Sequence, residues 1–144
     1  MPKYVQPCDR QNEIRAMERL VKVMSWERPA SNFTFKQCSD TSSWDGEVFS
    51  NGKLFALVEV RGRNGDKDRY THWHTRKAKI DKIKAAADKA GVLFILLVTW
   101  DGEPFALNVK KTEWESHVSG RLDRGDPADW EELYLIPSSA FKKI

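Results

Sequence analysis

The sequence predicts an α/β protein with a mixed central sheet flanked by helices, and three stretches carry that expectation. Residues 53–61, KLFALVEVR, are rich in β-branched and aromatic side chains and follow the turn dipeptide Asn51-Gly52, so they read as the second strand of a β-hairpin. Residues 92–100, VLFILLVTW, form a short run that is apolar on both faces, the pattern of a central buried strand. A long helix between them supplies the crossover that connects strands of a mixed sheet.

Taken in order, residues 9–26 read as a first helix, with Ile14, Met17, Leu20, Val21 and Met24 at helical spacing and Glu27-Arg28-Pro29 as its stop. Asn32 to Cys38 alternates Phe33 and Phe35 with polar residues and reads as a strand. SDTSSWDG is then the loop that delivers Asp45 to the hairpin, and RGRNGDKDRY, polar and containing Gly, is a surface loop. The second helix is expected from Thr71 to Ala90, with Ile80, Ile83, Ala87 and Ala90 as its apolar stripe and Gly91 as its stop. Beyond the buried strand, Asp101 to Pro104 turns the chain into an outer antiparallel strand, Phe105 to Val109. Residues 119–128 read as a second polar loop, Leu133 to Ile136 as a last strand, and SSAFKKI as one terminal turn of helix. No repeat, low-complexity tract or linker interrupts the order, so residues 1–144 are expected to form one domain.

With 40% hydrophobic and 31% charged residues over 144 positions, the chain has the make-up of a soluble globular domain whose core needs no staples. The longest apolar run, Val92 to Val98, is far too short to cross a bilayer, and MPKYVQPCDR holds no apolar signal region, so a cytoplasmic location is expected. Cys8 and Cys38 are expected as free thiols. The net charge of +3 is unevenly spread: residues 61–91 hold ten Lys/Arg against four Asp/Glu, and the remainder is net negative. A basic cluster after a carboxylate-bearing hairpin fits a polyanion held over a cation. A solvated basic helix face gives the same pattern.

The candidate chemistry lies on the hairpin. Glu59 and Arg61 are two apart on a strand and therefore share a face. Whether Asp45 joins them depends on the turn. A two-residue Asn51-Gly52 loop sets Asp45 opposite Val58, on the wrong face, whereas a three-residue loop with Gly52 as a bulge sets it opposite Leu57, diagonal to Glu59. The three-residue register is the expectation, and it brings the two carboxylates close enough to share a metal ion. In the first helix Glu13 points inward, where it needs a partner, a metal or the free N–H groups of the first turn. In the second helix Lys79 lies on the border between core and solvent and can snorkel toward the sheet, with Arg76 as a further candidate.

Other constellations exclude more than they suggest. The glycines of RGRNGDKDRY precede no Gly-Lys-Ser/Thr, so a P-loop is excluded. His72 and His74 lack the i, i+4 spacing of helical metal ligands and are expected to face solvent or nucleic acid. The two cysteines have no zinc-site spacing, and no Gly-x-Ser-x-Gly elbow occurs. Six tryptophans are expected mostly in the core, with Trp73 the best candidate for stacking on a base.

A helix with an inward Glu13, a hairpin with Asp45 then Glu59-Val60-Arg61, and a helix with Lys79 ahead of a buried strand resembles the PD-(D/E)XK nuclease superfamily over residues 9–109. FALVEVRGRNG followed by a lysine-rich helix is particularly similar to small restriction-endonuclease-like proteins of phages and bacteria. The resemblance implies a restriction-endonuclease-like fold and a nuclease that hydrolyses DNA phosphodiester bonds with a Mg²⁺- or Mn²⁺-bound water as nucleophile. It implies Asp45 and Glu59 as metal ligands and Glu13, Arg61 and Lys79 as further catalytic residues. Arg63, Lys67, Arg69, Arg76 and Lys82 are then the basic residues that hold the DNA backbone. A homodimer is left open, since many related nucleases dimerise to cut both strands. Arg61 departs from the usual Lys, and a guanidinium stays charged and favours phosphate contact over proton transfer. Either Lys79 supplies the missing ammonium, or Arg61 stabilises the phosphate charge, or the domain binds nucleic acid or a protein partner without cutting.

Overall fold

The computed structural model describes residues 7–39, 41–63, 65, 67, 71–110, 114–120 and 130–144, without the side chains of residues 7–9, 117–120 and 130–131. Helix α1 spans Pro7–Glu27 and buries Met17 and Leu20 of the expected apolar arc together with Ala16. It leads into β1 (Phe33–Gln37), which pairs antiparallel with β2 (Gly46–Ser50), and β2 pairs with β3 (Lys53–Arg63). Strand β4 (His72–Arg76) precedes helix α2 (Lys77–Ala90), and β5 (Leu93–Trp100) then runs parallel to β3, with Glu59 opposite Leu96 and Arg61 opposite Val98. Next come β6 (Glu103–Asn108), β7 (Glu115–Gly120), β8 (Trp130–Pro137), a 3-10 turn at Ser138–Ala140 and β9 (Lys142–Lys143). The main sheet has the order β1-β2-β3-β5-β6-β9, and a second sheet has the order β4-β8-β7. This is the mixed sheet and helix arrangement that the sequence predicts.

The alternation of β3 and β5 divides the core into two layers. Ala56, Val58 and Val60 with Ile95 and Leu97 pack on α1, whereas Leu57 with Phe94, Leu96 and Val98 packs on Ile80, Ile83 and Ala87 of α2. Helix α2 ends in a left-handed Gly91 (φ 70°), and the N–H groups of Gly91 and Val92 donate to Asp88 O and Ala87 O. That cap turns the chain at once into β5. Among the described residues no helix is long and apolar enough to cross a membrane.

Four expectations need correction. The hairpin turn is the two-residue loop, with Ser50 opposite Lys53 and positive φ at both Asn51 (51°) and Gly52 (81°), as a type I′ turn requires. A bulge inside the hairpin then shifts the register by one, so that Phe49 faces Leu54 but Val48 faces Ala56, and Gly46 falls opposite Val58. Asp45 therefore reaches the Glu59 face by a bulge in the strand and not by a longer turn. Second, residues 72–76 are a strand paired with β8, and α2 starts only at Lys77. The segment THWHTR is rich in β-formers, and Trp73 is buried edge-on against Phe141 (5.7 Å between ring centroids), so it is core and not a stacking platform. Third, β7 forms where no strand is expected, on residues 115–120. Fourth, the C-terminal residues make a 3-10 turn and then add Lys142–Lys143 to the edge of β6 instead of continuing as helix.

Gly46 sits where α1 meets the hairpin. A Cβ there would overlap the Met17 thioether, itself fully buried, and crowd Lys36 O at 3.2 Å. Gly46→Ala is expected to destabilise the protein by about 1–3 kcal/mol, the range of core overpacking. Urea unfolding reads this as a lower midpoint at unchanged slope, and an unchanged midpoint would mean that Met17 swings aside.

Candidate active site

Three elements converge at the middle of β3. Asp45 lies one residue ahead of β2, tied to both neighbours of Glu59: its N–H donates to Val58 O (3.0 Å), and its Oδ2 accepts the Val60 N–H (2.7 Å). Cys38 N–H donates to Asp45 O (2.8 Å), so β1 fixes the same residue from its other side. Glu59 points to the α2 face and is 1% exposed. From α2, Lys79 Nζ lies 2.8 Å from Glu59 Oε2, and Arg61 Nη2 lies 3.0 Å from that same oxygen. The other oxygen, Oε1, is buried with no hydrogen-bond donor among the described residues.

Burial raises the Glu59 carboxyl first, and the hydrogen bond and charge of Asp45 raise it further; Arg61 and Lys79 act in the opposite direction. The outcome is a pKa of about 7, against an ordinary value of 4.5. Two acidic groups meet here in a low-dielectric position, and the contact is satisfied by a proton or by a cation.

The remaining candidates make other contacts. Glu13 Oε2 accepts from Gln37 Nε2 (3.1 Å), which also donates to Arg10 O (3.2 Å). Glu13 belongs to α1, on the face of the sheet that carries Val58 and Val60. Among the described residues no third His, Cys, Asp or Glu joins Asp45 and Glu59 in a group able to hold a metal ion. Arg63 is exposed, with its guanidinium 5.2 Å from the Trp73 ring centroid. Lys67 Nζ donates to Ser138 O (3.2 Å) and lies 5.7 Å from the Phe105 ring centroid. Arg76 ends β4 and precedes the first turn of α2, so it lies outside the helix expected to carry it, and Lys82 is exposed on α2. Arg69 lies outside the described residues. His72 is half-buried and His74 exposed, on the strand that replaces the expected helix start. Sequence reasoning missed Val60, whose backbone N–H orients Asp45, and Gly46, whose place directly after Asp45 in a strand was a signal of close backbone approach.

A mixed sheet with helices on both faces, a parallel strand pair, and an Asp beside a Glu-x-Arg strand under a helix lysine define a fold of the restriction-endonuclease-like class. The chain belongs to the family described as "Phage putative PDDEXK endonuclease", which matches it over residues 1–144. No curated protein matches the chain.

The raised carboxyl has a consequence for stability. The native state holds a proton that the unfolded chain releases near pH 4.5, so this contribution is complete below that pH and is lost as pH rises through about 7. Glu59→Gln, neutral throughout, keeps what the wild type loses. In EDTA the variant is expected to melt higher than wild type at pH 8, by up to about 3 kcal/mol, and to differ little at pH 5. Paired thermal melts at the two pH values check this, and a variant less stable at pH 8 would contradict it.

Proposed function

We propose that the protein is a metal-dependent nuclease that hydrolyses DNA phosphodiester bonds. The observation that carries this reading is the Glu59 carboxyl, with one oxygen held by two cationic side chains and the other buried without a donor, beside Asp45. A hard divalent ion suits such a place, because it is content with one or two carboxylates when water and substrate phosphate fill its other positions. Asp45 and Glu59 are the residues that would hold Mg²⁺ or Mn²⁺. Bound there, the ion supplies charge that polarises a phosphate oxygen and makes water more acidic.

The protein's own groups divide the remaining work. Glu59 anchors Lys79 and Arg61 at one oxygen, which fixes both cations at the mouth of the site, where their side chains keep 27% and 29% exposure. The planar, permanently charged guanidinium of Arg61 suits contact with phosphate oxygens, and the compact ammonium of Lys79 suits orientation of the attacking water. Lys79 thereby takes the place of the lysine that Arg61 displaces on β3. The basic side chains of Arg63, Lys67, Arg76 and Lys82 support a polyanionic substrate by charge, without reading its sequence.

A second reading is a nucleic-acid-binding module without chemistry, and the observation that favours it is Arg61 itself, a group that cannot accept a proton. Incubation with supercoiled plasmid, linear duplex and single-stranded DNA separates the two. With Mg²⁺ or Mn²⁺ the wild type is expected to cut, and with EDTA to leave the DNA intact. Glu59→Gln and Asp45→Asn should lower the rate by at least about 10²-fold, and Lys79→Ala by about 10²- to 10³-fold, in the range for removal of one electrostatic contact to the transition state. A folded wild type that cuts none of these substrates with either ion would sink the catalytic claim.

A further inference from the structure

An open groove of about 850 Å³ lies between α1 and the C-terminal ends of β3 and β5. Arg15 and Arg19 of α1, Gly62 and Arg63 of β3, Thr99 of β5 and the adjoining Asp101 are among the residues that line it. The acidic residue is already engaged, since Asp101 Oδ1 accepts the Gly65 N–H at 2.7 Å. Among the described residues none of the three arginines forms an ion pair, although Arg63 Nη1 donates to Gly62 O at 2.9 Å. Arg19 lies over the Trp26 ring (5.2 Å) and Arg63 over the Trp73 ring (5.2 Å), cation–π contacts that orient the groups, and since Trp73 belongs to the core layer of α2 the Arg63 guanidinium lies on the face of β3 that carries Glu59 and Arg61.

Three further observations give this groove a direction. Arg15 and Arg19 are i and i+4 on α1, and like charges at that spacing oppose the helix, a cost that an anion between them would relieve. The groove lies at the carboxyl ends of two parallel strands, where open α/β sheets place their ligands. Arg63 also stands four residues beyond Glu59 on β3, roughly 13 Å at about 3.3 Å per residue. A nucleic-acid backbone crossing the carboxylates would cover that distance in about four nucleotides, at about 3.4 Å each along the axis.

We propose that this groove binds the phosphate backbone of the nucleic acid to one side of the cleavage position, with Arg15 and Arg19 of α1 as its phosphate contacts and Arg63 meeting the same backbone at the strand end from the face that carries Glu59. The proposal rests on the nuclease reading for the identity of the polyanion. It places two contacts on α1, outside the basic stretch 61–91. An open trough with charges spread over two elements suits a polymer and holds a small anion poorly.

Fluorescence anisotropy with a labelled duplex, in EDTA and at several salt concentrations, tests it. The double variant Arg15→Gln/Arg19→Gln should bind about tenfold more weakly or worse, and its slope of log K against log salt should be shallower by about 2, since each lost phosphate contact removes about 0.9. Arg63→Gln should remove about one further contact, and Lys53→Gln, at the far end of β3, should change neither quantity. Circular dichroism verifies that each variant is folded. Unchanged affinity and slope in the double variant, or a wild type that does not bind the duplex, would overturn the proposal. Displacement of the duplex by micromolar inorganic phosphate would assign the groove to a small anion and overturn it equally. Failure of the nuclease reading looks different: duplex binding that needs Arg15 and Arg19 but no cleavage with any metal leaves the groove standing. Cleavage and binding that both survive Arg15→Gln/Arg19→Gln leave the nuclease and remove the groove.

Discussion

A carboxyl group that is 1% exposed on a central strand, with Leu57 two residues before it and Leu96 beside it, is an expensive thing for a fold to hold. Much of the structure around Glu59 can be understood as what that burial demands. Helix α2 has to dock so that Lys79 reaches the carboxylate, and Ile80, Ile83 and Ala87 set that docking by packing on the same layer of β3 and β5. Arg61 has to lie on the same face of β3, which the two-residue period guarantees. Asp45 has to be held against Val58 and Val60, which needs the hairpin register and the β1 contact together. The result is a carboxyl that is only half satisfied as an ion near neutral pH, and this is the state in which a cation competes with a proton.

The two faces of the sheet have different duties. Toward α1, β3 shows Ala56, Val58 and Val60, and the contact there is apolar packing on Ala16, Met17 and Leu20. Toward α2 it shows Glu59 and Arg61, and polar groups are admitted because Lys79 arrives to meet them. The helix on the apolar side contributes charge only where it passes the strand ends, at Arg15 and Arg19. A carboxylate pair within the sheet and an arginine groove at its end are thus separate features joined by one strand.

The Asp45 register shows how a local rule can fail and its consequence survive. The Asn51-Gly52 dipeptide forms the turn that its conformational preferences favour, and the compensating residue enters as a bulge further along the hairpin. Nothing in the local pattern of FSNGKLFAL marks that bulge, because a bulge is selected by what the strands must pack against. The start of α2 failed for a related reason. Arg76 lies four residues before Ile80 and so continues the helical phase, but THWHTR also satisfies a strand, and pairing with β8 some sixty residues away decided between them.

The sequence by itself determined the elements whose residues meet their own environment: the apolar VLFILLVTW as a central strand, the α2 stripe ending at Gly91, and Glu59 with Arg61 on one face of β3. These follow from periodicity, and periodicity is local. Tertiary structure alone decided the second sheet, the side of the main sheet on which Glu13 lies, the convergence of Lys79 and Arg61 on one oxygen, and the arrival of Arg15 and Arg19 at the ends of β3 and β5. Each of these depends on distances between residues far apart in the chain, set by how helices dock on a twisted sheet, and no local pattern carries that information.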